Sequence, residues 1–432
     1  MPATMKLDAL EVEKLFTPQL HKLFKLFQDC NYELRITGGA VRDLMMGIQP
    51  NDVDLASTAT VTQMKELFES HKIWTVNKKG EKHGTITCRI DKASFEITTL
   101  SIGMFCDDRR ADVKYTTDWE LDAKRRDLTV NSLFLGPDGT VYDYLGGIED
   151  VHKRRVRFID DAETCIQGDF HRILRYFRFF GRITVTEEHE KGILEAIARN
   201  KHGLKEVNKE RIWMEFKKIV IGRMAPAVLR SMFGPECELQ EYLGLPKAVN
   251  LGRFQKVYEK YGSRLESMTS VALLCENKDH IYAFHKKTKL SSDEKSLGFF
   301  IVRERVEAEK NRNDLNWWKE LCVEKEARLR RGTKSDKTRQ RILQLMISVL
   351  TEERLIQEIE NYDCPNFQVT GTDLIKANAP EGLNMEATLG YLFDIWKNSK
   401  YAMTKEEILK HALDSGIPDR DVGLDPLYDK PK

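Results

Sequence analysis

The chain has 432 residues, a formal net charge of +1, 41% hydrophobic and 32% charged residues. That size exceeds what one hydrophobic core supports, so several modules are expected, and the composition leaves little room for long disordered stretches. With so small a net charge, any nucleic-acid surface has to come from local segregation of basic residues, not from global basicity.

The cysteines (Cys30, Cys88, Cys106, Cys165, Cys237, Cys275, Cys322, Cys364) form no C-x-x-C pair, which argues against a zinc site and a disulfide framework and leaves reduced, mostly buried thiols as the expectation. No apolar run approaches the roughly 20 residues that span a bilayer, so no membrane association is expected. The first residues carry acidic groups early, so a transit peptide is either absent or already removed.

In chain order, residues 9–28 place apolar side chains at helical spacing, with Asn31 as a stop. From Glu33 to Leu100 short β-rich runs alternate with helical stretches, the pattern of a mixed α/β domain with a small sheet. Within it, Leu34–Thr37 reads as a strand, and Gly38 and Gly39 open a helix that runs to Met45 and ends at Gly47. Strand, glycine turn and helix make a place where backbone can approach a polyphosphate closely, with Arg42 adding a charged fork. Asp52-Val53-Asp54 then begins what reads as a second strand. Alternate residues of a strand share a face, about 6.6 Å apart at the backbone, so both carboxylates would point the same way and could share a pair of Mg²⁺ ions. Glu96 lies in the second strand of a hairpin turned at 91–94. It is either a third carboxylate at the metals, able to deprotonate a hydroxyl, or a surface glutamate.

Arg125, Arg126, Asp127 and Asn131 follow the sheet on a segment that begins as a loop. Beyond about residue 160 the β signals fade and a helical remainder is expected. From Asp169 to Phe180, at 100° per residue, Phe170, Ile173, Leu174, Phe177 and Phe180 form one apolar face, with Arg172, Arg175 and Arg178 opposite. Those arginines have no acidic residue at i+4, which favours a ligand-facing row over an ion-paired surface. Residues 151–223 hold 17 Lys and Arg against 11 Asp and Glu, a modest basic excess. Arg211, Lys217 and Lys218 could meet RNA phosphates there, or be solvated helix ends. The charge-dense stretch 306–341 reads as a solvated helix or linker, with an RNA-facing surface as the weaker reading. Residues 101–119 read as a loop, and 421–432 as a polar, frayed tail.

The ordered set GGAVRD, DVD, RRDLTVNSLF and DFHRILRYFRF resembles the class II CCA-adding enzymes, the tRNA nucleotidyltransferases, and their eukaryotic members most closely. The match runs from about residue 5 into the C-terminal region and is specific in residues 34–182. It implies an α+β chain: a polymerase-β-like nucleotidyltransferase head with a small mixed sheet (1–160), then an all-helical neck carrying the base-reading site (161–225), body (226–340) and tRNA-binding tail (341–432). It also implies addition of CCA to tRNAs lacking a complete 3′ end, from CTP and ATP, with two Mg²⁺ ions held by Asp52 and Asp54 and catalysis by Asp52, Asp54 and Glu96. Gly38, Gly39, Arg42, Arg126, Asp127, Asn131, Asp169, Arg172, Arg175 and Arg178 would bind the nucleotide, with Arg126 at the triphosphate and Asp127 at the sugar. A monomer or homodimer in mitochondria and cytoplasm, with the nucleus as a further compartment, is the corresponding expectation. The loop at 101–119 would help switch specificity from C to A.

An Asp beside an Arg has the right chemistry for base selection. Cytosine and adenine each show an amino donor next to a ring acceptor and match that pair. Uracil and guanine present a carbonyl and an N–H instead and would leave buried charges unpaired. The family pattern places Glu before this Asp, whereas Gly168 stands here; either Gly168 simply tolerates the helix start or a bond steadying Arg172 has been lost. The rivals are a poly(A) polymerase of the same superfamily, sharing cradle and carboxylates, and a non-catalytic tRNA-binding protein.

Overall fold

The structure is a computed structural model that describes residues 1–76, 78–102, 114–327, 333–376 and 385–414. It divides into two compact units, Met1–Leu243 and Gly244–Lys432. The regions expected as head and neck thus fall together in the first, along with residues 226–243.

The first unit opens with a short edge strand, β1 (Ala3–Lys6), that no sequence pattern announced. The single helix expected over 9–28 is two: α1 (Ala9–Leu15), capped by Asp8, and α2 (Pro18–Asp29), capped by Thr17. Pro18 lacks the N–H an unbroken helix would need and fits the first position of a new one. There follow β2 (Leu34–Thr37), α3 (Gly39–Met45), β3 (Asp54–Ser57), α4 (Val61–Ser70), β4 (Trp74–Val76), β5 (Thr85–Ile90), β6 (Ala93–Thr99), β7 (Ser101–Ile102), β8 (Lys114–Tyr115), α5 (Trp119–Lys124), β9 (Phe134–Leu135), β10 (Thr140–Asp143) and α6 (Gly147–His152).

The expected small sheet has eight strands in the order β1-β10-β9-β2-β3-β6-β5-β4, and β7 pairs with β8 separately. It is mixed, because β3 and β6 run parallel while their other pairings are antiparallel. Ile36, Leu55, Ile86, Ile97, Phe134, Leu135 and Val141 are buried along its strands, so the alternation of the side chains turns Asp54 and Glu96 outward.

The helical remainder of this unit comprises α7 (Ala162–Gly168), α8 (Arg172–Ile183), α9 (Ile193–Asn200), α10 (Lys209–Ile219) and α11 (Ala225–Phe233). The described part of the second unit is helical from Leu251 to Leu413. Its charge-dense stretch is built into helices at Ser292–Lys310, Leu315–Glu326 and Thr333–Ser348, with Trp318 fully buried, so it is no linker. Val323, Leu374, Leu392, Trp396 and Ile408 share a core near the end of the chain. Most of the loop expected at 101–119, and the tail at 421–432, lie outside the described residues. Among the described residues no helix is long and apolar enough to cross a membrane.

Candidate active site

The first unit holds an open cavity of ≈ 670 Å³ whose wall gathers most of the residues singled out in the sequence: Gly38, Gly39, Arg42, Asp52, Asp54, Arg126, Asp127, Asn131, Asp169, Arg172, Arg175, Arg178, Arg211 and Lys218 all line it. Glu96 and Lys217 do not.

The floor is the turn between β2 and α3. Gly38 sits at φ +65°, a conformation that L side chains rarely adopt, and its N–H donates to Leu133 O. That turn brings backbone up beside Arg126 and Asn131. The hydroxyl of Thr37 is buried at the cavity wall with no hydrogen-bond partner among the described residues.

The acidic wall differs from expectation in one respect. β3 begins at Asp54, so Asp52 lies on the loop before it and is not held by the strand's alternation. The two side chains still meet at the cavity: partial burial and the Asp52 charge hold the Asp54 carboxyl above the usual carboxylate range, with Arg126 pulling the other way. Glu96 is paired in register with Asp54, and partial burial together with Asp54 raises its pKa as well. The hairpin that carries Glu96 turns at Asp91 and Lys92, tighter than expected, with Asp91 at φ +54°.

Asp52 and Asp54 on the cavity wall, with Glu96 in register beside Asp54 though not lining the cavity, repel one another unless a cation shares them. Hard oxygen donors suit a divalent cation such as Mg²⁺, which takes one or two protein carboxylates and leaves its other positions to phosphate oxygens and water. The residues present therefore fit such an ion, even though no cluster of three or more metal-ligating side chains is found among the described residues.

Opposite, an interlocked set of donors and acceptors joins the β2–α3 turn to the helices. Arg42 donates to Asp43 Oδ1 (2.9 and 2.8 Å) and to Asn131 Oδ1; Asn131 Nδ2 donates to Asp127 Oδ1 (3.3 Å); Arg175 Nε donates to Asp127 Oδ2 (2.6 Å). Burial alone would raise the Asp127 pKa, but Arg175 and Asn131 bring it below the usual range. Arg126 donates to the fully buried Asp122. Arg178 donates to Glu215, and Arg182 to Asp43 (2.7 Å). Arg175 and Arg178 of the arginine row are thus ion-paired after all, by carboxylates from other elements, and still line the cavity. Sequence spacing shows only partners on the same helix, so this was not legible. Phe179, also missed, sits buried on the cavity wall with Arg178, Arg42 and Arg175 at 4.0, 4.9 and 5.4 Å from its ring. Its place in a run of aromatics hid it among core residues.

The base-reading pair is also placed differently. Asp169 is not on the helix with Arg172. It is the extended residue that ends α7, φ −161° and ψ 105°, and α8 starts at Arg172. The two are joined through the intervening turn, where Arg172 N–H donates to Asp169 O (2.9 Å). The Arg172 guanidinium is held by two backbone carbonyls, Arg125 O (2.7 Å) and Cys165 O (3.2 Å). A side chain at Gly168 would start 4.0 Å from that guanidinium. Asp169 accepts from His171 N–H (3.0 Å) and from Arg211 Nη2 (3.0 Å). Arg211, expected at RNA, therefore reaches the carboxylate expected to read the base. It shares one face of α10 with Glu215 and Lys218, while Lys217 lies a step round the helix.

The family model described as Poly A polymerase head domain matches residues 34–157, and that described as Probable RNA and SrmB- binding site of polymerase A matches 189–239. Human "CCA tRNA nucleotidyltransferase 1, mitochondrial" is 41% identical over 94% of this chain and 93% of its own length, and the mouse protein of that name is 42% identical over the same shares. Among solved structures, the Bacillus stearothermophilus CCA-adding enzyme in complex with CTP superposes with a TM-score of 0.68 at 21% identity, over 92% of this chain and 97% of that one. The Thermotoga maritima CCA-adding enzyme complexed with tRNA gives 0.60 at 17%, over 96% and 99%. These two likenesses concern the fold.

Proposed function

The chain belongs to the CCA tRNA nucleotidyltransferases, and from that premise we propose that its cavity adds C, C and A to the 3′ end of tRNA, selecting CTP and ATP by protein side chains alone. The single observation that carries the reading is that one cavity holds both the Asp52/Asp54 wall and the Asp169/Arg172 pair.

In each addition the 3′-hydroxyl oxygen of the tRNA bonds to the α-phosphorus of the nucleotide, the bond to the β-phosphate breaks, and pyrophosphate leaves. Asp52 and Asp54 would hold the divalent ions, which when bound lower the pKa of the attacking hydroxyl and neutralise the leaving group. Glu96, beside Asp54 and with a raised pKa, is suited to take the hydroxyl proton. The β2–α3 turn, Arg42 and Arg126 receive the triphosphate, and Asp127 accepts from the sugar hydroxyl. Asp169 accepts the amino group of C or A, and Arg172 donates to the adjoining ring acceptor. For uracil, both groups would face their own kind and lose their hydrogen bonds to the base. Lys218 and the far end of the arginine row are left for primer phosphates. The mitochondrial designation of the human and mouse relatives favours that compartment for this chain too.

The head alone is also described by a poly(A) polymerase family, and one assay separates the two activities. Given a tRNA lacking its last three nucleotides, with CTP and ATP together, the protein is expected to stop at a product three nucleotides longer. A long A tract would establish the polymerase reading instead.

A further inference from the structure

The carboxylate of Asp169 is held from two directions, by a backbone N–H and by a guanidinium that also contacts an imidazole. The backbone N–H of His171 donates to Oδ1, and Arg211 Nη2 donates to Oδ2, each at 3.0 Å. The same Arg211 nitrogen lies 3.2 Å from His171 Nδ1, and His171 Nε2 lies 3.2 Å from the carbonyl oxygen of Arg211. A guanidinium only donates and a carbonyl only accepts. Both contacts can therefore be made together by one species alone, the neutral ring with its hydrogen on Nε2 and its lone pair on Nδ1. Protonation would set an N–H against an N–H and a second positive charge beside the guanidinium, on a ring only 6% exposed.

We propose that His171 is a positioning residue for nucleotide selection: in its neutral form it fixes Arg211 against Asp169 and so sets the acceptor that reads the amino group of C and A. The inference rests on Asp169 being the base reader. Four charged groups surround the imidazole: Arg211 and Glu215 from α10, Asp169 from the end of α7 and Arg175 from its own helix. Burial, followed by the Arg211 charge, keeps its pKa below the ordinary histidine value, with Glu215 and Asp169 opposing. The holding form is thus complete at neutral pH and is lost only as the pH falls below the usual histidine range, near 6.5.

The test is the ratio of CTP to UTP incorporation onto a tRNA lacking its last three nucleotides, measured from pH 8 to pH 5.5 for the full chain. Comparing two nucleotides at each pH cancels effects on the chemical step common to both. The wild-type ratio is expected to fall as the ring takes up its proton at the acid end, towards about a tenth of the neutral value, the scale set by losing one hydrogen bond to a charged group. His171→Gln, whose amide oxygen accepts from Arg211 and does not titrate, should show a flat profile near the wild-type neutral ratio. His171→Ala should show a depressed ratio at every pH, with the change in KM for CTP exceeding that in kcat. A His171→Gln profile that falls like the wild type, or a wild-type ratio that is constant with pH, overturns the proposal while leaving CCA addition intact. Failure of the wild type to add C at all, at any pH, overturns both.

Discussion

Asp54 sits where neighbouring carboxylates and burial both oppose its charge. It lies beside Asp52 and in register with Glu96, and its carboxyl titrates above the ordinary range. A side chain held there in competition with its neighbours serves binding of a cation better than it serves stability. Asp54→Ala and Asp52→Ala are expected to lower nucleotide incorporation roughly thousandfold, because stabilisation of several kcal/mol is lost at the developing phosphoryl charge. Binding of tRNA, measured by gel shift, should be unchanged. Loss of binding in step with loss of turnover would mean that these residues shape the RNA surface instead. The types and order of these residues were legible in the sequence, since carboxylates two apart after a glycine turn have few other uses. What was not legible is that Asp52 precedes the strand, because a strand's first hydrogen-bonded residue depends on its neighbours in the sheet.

At the scale of elements, the site is carried by short pieces that hold one another. The turn Thr129–Asn131, which places Asn131 between Arg42 and Asp127, packs on α6. Asp143 accepts the backbone N–H groups of Leu145, Gly146, Gly147 and Ile148 and so fixes where that helix begins. Thr129 Oγ1 donates to the buried Asp150 of the same helix (2.6 Å). A Cβ at Gly147 would lie 2.3 Å from the Thr129 carbonyl oxygen, a backbone atom with no room to move. Gly147→Ala should therefore cost about 1–3 kcal/mol, as overpacking does, and raise KM for CTP through displaced Asn131. A urea midpoint equal to that of the wild type would refute this. Periodicity in the sequence was enough for α3, for the β5–β6 hairpin and for the apolar face of α8. It failed at β1, four mostly exposed residues on a sheet edge, and at Asp169, where the turn between α7 and α8 keeps helical spacing without being helix. It also failed for Arg175 and Arg178, whose partners Asp127 and Glu215 come from elsewhere in the fold.

For the whole molecule, a net charge of +1 means that neither tRNA nor nucleotide is drawn by overall charge. The cations that matter are gathered on one wall of one cavity in the first unit, facing the carboxylates of the other wall. On the proposed reading, selection and chemistry share a single pocket, and the protein takes the place of a nucleic-acid template. The order of motifs made the family and the gathering of these residues legible in advance for the first unit. For the second, helical periodicity predicted the class of structure and little about its use. The most direct test of the shared pocket is incorporation of each of the four nucleotides alone onto a tRNA lacking its last three residues, by the wild type and by Arg172→Ala. The wild type should take CTP and reject UTP. Arg172→Ala should accept UTP at a rate approaching that for CTP, while still needing Asp54. If Arg172→Ala keeps the wild-type preference for C over U, base selection lies elsewhere and the account is wrong.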